Sequence, residues 1–157
     1  MKQSDAESLL KEVVTLSKKV GGYLLNERKS FKMEAVEEKS FNNLVSYVDK
    51  AAEWQFIEGL TKLFPEAGYI GEESEDKYRK GTLNWIIDPL DGTTNFIFGL
   101  PIYCTSVALL ENNVPVLGVI YDPNQDECFS ALRGKGAFLN DVRMEVSSTQ
   151  DLILSLI

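Results

Sequence analysis

The chain has 157 residues, 44% of them hydrophobic, which is enough for one ordinary domain with a real core and too few for two comfortable ones. Its 24 acidic residues outnumber 16 basic ones, and the small cationic groups Lys18-Lys19 and Arg133 with Lys135 lie apart, so a nucleic-acid partner is excluded on charge. Histidine is absent, which removes Ser-His-Asp and Cys-His catalysis and the His-ligated zinc sites and leaves any chemistry to carboxylates.

Ser4 followed by Glu7 has the form of a capping box, and Leu9, Leu10, Val13, Val14, Val20, Leu24 and Leu25 follow at near-helical spacing, predicting a helix over residues 5–26. Charges interrupt every apolar stretch in this region, so neither a signal peptide nor a membrane span is expected, and a cytoplasmic location is the default. Residues 27–43 are polar without a strong period and predict a loop or a weak hairpin. Ser46 with Asp49 three residues later marks a second helix start. Ala51, Ala52, Trp54, Phe56, Ile57, Leu60 and Leu63 supply its apolar positions, and Pro65 ends it.

Beyond Tyr69 the pattern changes to short apolar runs at residues 69–70, 85–87, 106–110, 114–121 and 128–132, which predict strands. Glu111-Asn112-Asn113, Asp122-Pro123-Asn124 and Gly134-Lys135-Gly136 supply turns, so the latter half reads as an antiparallel meander. The expected architecture is α+β, with two N-terminal helices packed on a mostly antiparallel sheet in a single domain over residues 1–157. Cys104 and Cys128 have no CxxC partner and read as ordinary buried thiols. The chain closes on the apolar run Leu152-Ile153-Leu154-Ser155-Leu156-Ile157, which fits either a last strand tucked into the sheet or one half of something larger.

The segment that carries chemistry is Trp85-Ile86-Ile87-Asp88-Pro89-Leu90-Asp91-Gly92-Thr93-Thr94-Asn95-Phe96. A buried strand delivers two carboxylates into a loop at its end, with Pro89 restricting the backbone so that both face one point. Carboxylates that close repel each other and raise one another's pKa unless a cation lies between them, and a hard, oxygen-ligated ion such as Mg2+ suits them. Gly92, Thr93 and Thr94 then bring backbone N–H groups close to a ligand and start a short helix, an arrangement that attracts phosphate. Metal and anion sites adjacent in sequence point to phosphate-ester hydrolysis. A tight turn alone explains an isolated Asp-Gly pair, but a chance match at six fixed positions is on the order of one in a hundred thousand or rarer. Upstream, Gly71-Glu72-Glu73-Ser74 follows the apolar pair Tyr69-Ile70, and a strand end there would place Glu72 beside Asp88 as a third oxygen ligand.

These two segments resemble the inositol monophosphatase family, within the wider group of lithium-sensitive, metal-dependent sugar and nucleotide phosphatases. Val45-Ser46-Tyr47-Val48-Asp49 and Gly134-Lys135-Gly136-Ala137-Phe138-Leu139-Asn140 add weaker support. The resemblance implies the N-terminal half of a layered αβαβα sugar-phosphatase fold, acting as a homodimer on a small phosphorylated substrate such as inositol 1-phosphate. It implies that Glu72, Asp88 and the Leu90 carbonyl hold a first Mg2+, that Asp88 and Asp91 share in a second, and that Asp91, Gly92 and Thr93 contact phosphate. In such enzymes a water activated by metal attacks phosphorus, and the Thr93 hydroxyl, polarised by Asp49, would help orient and deprotonate it. Asp49 has a second reading, as a first-turn carboxylate that favours the helix dipole without any catalysis. Family members carry a later Trp-Asp motif that completes the second metal site, whereas Trp54 and Trp85 are the only tryptophans here and neither precedes an aspartate. The expectation is therefore the metal-binding half alone, with the alcohol-selecting residues elsewhere. Bisphosphate nucleotidase and fructose bisphosphatase activities remain open within this chemistry. So does a non-catalytic metal-binding module that uses an exposed sheet edge to dimerise or bind a partner.

Overall fold

The computed structural model describes residues 3–32, 36–40, 43–73, 81–151 and 153. Its elements in chain order are α1 (Gln3–Arg28), β1 (Val36–Ser40), β2 (Asn43–Ser46), α2 (Tyr47–Leu63), β3 (Gly68–Gly71), β4 (Leu83–Asp91), α3 (Thr93–Phe98), β5 (Cys104–Glu111), β6 (Val114–Asp122), β7 (Glu127–Leu132), β8 (Gly136–Leu139) and β9 (Val142–Arg143). The expected α+β arrangement is present. β3 to β9 form one seven-stranded sheet in sequence order, parallel only between β3 and β4, while β1 and β2 make a separate antiparallel pair in the region expected to be a loop or weak hairpin.

The helices form because their apolar residues recur at three- and four-residue intervals and can be buried along one stripe. α1 begins at Gln3, so Ser4 lies inside it rather than at its cap. Val13, Val20 and Leu24 of α1 and Val48, Ala52, Phe56 and Leu60 of α2 are buried against the sheet. The strands answer with alternate residues: Trp85, Leu109 and Leu117 pair across β4, β5 and β6, as do Ile87, Val107 and Val119 in the next row, and all six are buried. Each such side chain contributes roughly 1.5–3 kcal/mol from removal of apolar surface from water.

The turns expected of the meander are all present. Asn112 and Asn113, both with positive φ, connect Glu111 to its partner Val114 as a two-residue hairpin. Asp122 Oδ1 accepts from the N–H of Asn124 at 2.7 Å and of Gln125 at 3.2 Å, closing the next turn. Gly134 and Gly136 take positive φ at the third. β8 and β9, joined through Asn140 and Asp141, extend the sheet beyond the expected strands. The apolar run at residues 152–157 lies, apart from Ile153, outside the described residues, as does Ser74. Among the described residues no helix is long and apolar enough to cross a membrane.

Candidate metal and phosphate site

The site forms where β3, β4, α2 and α3 meet. β4 does not release its aspartates into a loop, as the sequence pattern suggests, but carries both: its ladder with β5 runs through Asp88, opposite Ser106, to Asp91, opposite Cys104. Three steps along β4 match two along β5, so one extra residue is accommodated as a bulge. Pro89, which has no N–H to donate, sits in that irregular stretch. The Leu90 N–H turns back to Asp88 Oδ1 at 3.2 Å. Both aspartates thereby emerge at one end of the sheet.

β3 runs parallel to β4 with Gly71 opposite Ile87, and the next residue continues the pairing: the Glu72 N–H donates to the Ile87 carbonyl at 3.1 Å. This sets Glu72 beside Asp88. Partial burial and the hydrogen-bonded carboxyl of Glu72 push the Asp88 carboxyl up from 3.8 to about 7, with the charges of Glu72 and Asp91 acting in the same direction and the Leu90 N–H opposing them. Among the described residues no three acidic or thiol side chains stand as a ready-made metal cluster. What is assembled is Glu72 close beside Asp88, and a third carboxylate, Asp91, near enough to act on Asp88 by charge. With Asp88 half-buried beside the exposed carboxylates Glu72 and Asp91, this crowded set of oxygen donors fits a hard divalent cation, which would relieve the repulsion.

α2 brings in Asp49. Ser46 caps that helix, accepting from the Val48 N–H at 3.2 Å, and Asp49 completes the box by accepting from the Ser46 N–H at 2.9 Å and its hydroxyl at 2.6 Å, all through Oδ2. The other oxygen, Oδ1, lies 2.9 Å from Thr93 Oγ1. Asp49, only 1% exposed, therefore serves both as a helix-cap residue and as the partner of the threonine after the second aspartate. The Thr93 hydroxyl also lies 2.9 Å from the Leu90 carbonyl, so its single proton is shared between two acceptors.

α3 starts at Thr93 because Gly92 turns the chain with φ +96°, and an added Cβ would lie 2.9 Å from the Ile102 carbonyl. The Phe96 N–H closes the first turn on the Gly92 carbonyl at 3.0 Å, and no side chain caps the N-terminal amides. Asn95 fixes the return loop through its Nδ2 on the Ile102 carbonyl, at 2.7 Å. Cys104 Sγ lies 3.8 Å from Asp91 Oδ2, and burial with the adjacent carboxylates raises that thiol to about 12.

The structure thus gathers Glu72, Asp88, Leu90, Asp91, Gly92, Thr93 and Asp49 in one corner. The sequence pattern does not single out a further acid there, Glu53 of α2, whose buried carboxylate accepts from the Glu73 N–H at 2.7 Å. A signal existed: Glu53 stands four residues after Asp49, on the same helix face and in an otherwise apolar stripe.

A family model described as the inositol monophosphatase family matches residues 5–157. The chain belongs to this family. Inositol monophosphatase 3 of Solanum lycopersicum is 40% identical over 156 residues, covering 96% of this chain and 57% of the relative. The solved structure of extragenic suppressor protein suhB from Bartonella henselae matches with TM-score 0.84 at 37% identity, over 90% of this chain and 55% of that one. An IMPase/NADP phosphatase complexed with Mg2+ and phosphate matches with TM-score 0.79 at 29% identity, over 89% and 53%. The chain spans about half the length of the curated relatives it matches. The α+β arrangement of helices on a mostly antiparallel sheet is accordingly that of an inositol monophosphatase portion.

Proposed function

We propose that this chain supplies the metal- and phosphate-binding part of a Mg2+-dependent phosphomonoesterase whose substrate is a small phosphorylated alcohol such as inositol 1-phosphate. The observation that carries the reading is the meeting of Glu72, Asp88 and Asp91 beside the Asp49–Thr93 pair, at the end of one sheet. Glu72, Asp88 and the Leu90 carbonyl would hold one Mg2+, with Asp88 and Asp91 sharing in a second. Bound Mg2+ supplies Lewis acidity and neutralises phosphate charge. The N–H groups of Gly92 and Thr93 hold phosphate oxygens. Asp49, by accepting the Thr93 proton, leaves the Thr93 oxygen to accept from a water and so orient it toward phosphorus. Attack forms a P–O bond to the water oxygen and breaks the ester P–O bond, and the proton that the water gives up balances the one that the departing alcohol takes up. Bisphosphate nucleotides and fructose bisphosphate fit the same corner, because the groups that select the alcohol lie outside it.

Calorimetric titration with Mg2+, with phosphate release from a panel of these esters, tests the proposal. Asp88→Asn removes the one carboxylate assigned to both ions. It is expected to weaken Mg2+ binding by about 100-fold or more, equivalent to roughly 2.7 kcal/mol. Equal Mg2+ affinity in Asp88→Asn and the parent chain would sink the assignment.

A further inference from the structure

Glu53 has no role in the chemistry just proposed, yet it is a carboxylate only 3% exposed, in the layer directly beneath the acidic corner. A buried carboxylate is costly unless its hydrogen bonds are specific. One such bond is the Glu73 N–H on Oε2 at 2.7 Å, immediately after the residue that faces Asp88. A second observation concerns Gly71. A Cβ built there would lie 2.3 Å from Oε2, 2.4 Å from the carboxyl carbon and 2.6 Å from Oε1 of Glu53. Gly71 is not among the glycines with positive φ, so what it provides is room for this carboxylate. Glu72 is therefore bracketed by two backbone constraints: its own N–H is fixed to the Ile87 carbonyl of β4, and the flanking residues Gly71 and Glu73 both rest on Glu53.

α2 acquires a common logic from this. Asp49 and Glu53 stand one helical turn apart on the same face. Asp49 holds Thr93 on the β4–α3 arm of the corner, and Glu53 holds residues 71–73 on the β3 arm. We infer that Glu53 is a positioning residue, which fixes the β3 arm so that the Glu72 carboxylate stays beside Asp88, where the two would hold a divalent cation. The inference rests on the proposed Mg2+ site and deepens it by naming what holds one ligand in place.

The test compares the parent chain with Glu53→Gln, Glu53→Asp, Glu53→Leu and Asp88→Asn in Mg2+ calorimetry, thermal unfolding and amide hydrogen exchange at Glu73 without metal. Gln keeps an acceptor at the right reach, so Glu53→Gln is expected to hold Mg2+ within about threefold of the parent and to keep the Glu73 amide protected. Asp is one methylene too short and Leu has no acceptor. Both are expected to lose Glu73 protection and to weaken Mg2+ binding about 10- to 100-fold, the usual effect of removing a partner that orients a ligand. Glu53→Leu removes a buried charge and is expected to unfold no lower than the parent, which separates positioning from general stability. If Leu does not fold, Glu53→Asp against Glu53→Gln decides. Parent-like Mg2+ affinity in Glu53→Asp, or a loss in Glu53→Gln as large as in Glu53→Asp, overturns the inference while leaving the Mg2+ site standing. Failure of Asp88→Asn to differ from the parent overturns both.

Discussion

The two ends of the sheet solve the same backbone problem by different means. At the hairpin between β5 and β6 the chain reverses on Asn112 and Asn113 with φ of 53° and 62°, a conformation that short polar side chains tolerate, and the Asn112 N–H adds a backbone bond to the Thr82 carbonyl at 2.8 Å. At the corner after β4 the chain also takes a positive φ, but there the residue is Gly92, and its missing side chain makes way for the Ile102 carbonyl. The hairpin is a local solution, readable from two residues and replaceable. The corner is a tertiary solution: beside its local bonds, groups in it are held from far along the chain, as Thr93 is by Asp49 and Glu73 by Glu53.

The largest effect that sharpens this contrast is expected beneath the corner. Phe96 is fully buried, packs edge-on against Phe31 and Tyr103 with ring centroids 5.2 Å away in each case, and has the Arg28 guanidinium 5.9 Å from its ring centre. Phe96→Ala leaves a cavity under α3 and is expected to cost about 3–5 kcal/mol in denaturant unfolding. At the meander edge Val142, 70% exposed, has little to lose, and Val142→Ala is expected to change stability by no more than about 0.5 kcal/mol. A Phe96→Ala cost as small as that of Val142→Ala would mean the corner is not built on its core.

A middle-sized effect is expected of Gly92→Ala. The left-handed conformation alone costs a residue with a Cβ roughly 1–2 kcal/mol, or about 2–8 °C in melting temperature for a domain of this size, and the contact with the Ile102 carbonyl adds to it. Asn113→Gly, a change at the hairpin's own positive-φ residue, is expected to stay within about 0.5 kcal/mol. Equal losses at the two positions, measured by thermal unfolding, would erase the distinction between local and tertiary turns.

The same distinction governs what the sequence disclosed. Both long helices, the β5–β6 hairpin, the Asp122 turn and the Ser46–Asp49 capping box are legible because their causes lie within four residues of one another. The length of β4 is not legible. Asp88, Pro89 and Asp91 are poor strand formers, and only pairing with Ser106 and Cys104, some 15 residues away, keeps them in the ladder. β8 and β9, of four and two residues, are too short to show a period of two. In the corner the acids are legible from their spacing, and so is the placing of Glu72 beside Asp88 by a strand end; the parallel register of β3 against β4 that brings it about is not. Glu53 is not legible because an acid within a helix ordinarily faces water, and only the close approach of Gly71 shows why this one does not.

The smallest effect on the site is expected of Cys104→Ser, although its thiol touches one of the acids. Its Sγ is 3.8 Å from Asp91 Oδ2, at the register position where β5 pairs with Asp91 across the bulge. Two roles are conceivable for a thiol there: a soft metal ligand, or a small half-buried group that donates a weak hydrogen bond to a carboxylate. A hard ion held by carboxylates and a carbonyl gains little from sulfur, and the neighbouring acids oppose formation of the thiolate that ligation requires. The second role survives replacement, since a serine hydroxyl is similar in size and a better donor. Cys104→Ser is therefore expected to leave Mg2+ affinity within about twofold of the parent and stability within about 1 kcal/mol. A loss of Mg2+ binding comparable to that of Asp88→Asn would place sulfur among the ligands and show that proximity to Asp91, rather than oxygen chemistry, defines the corner.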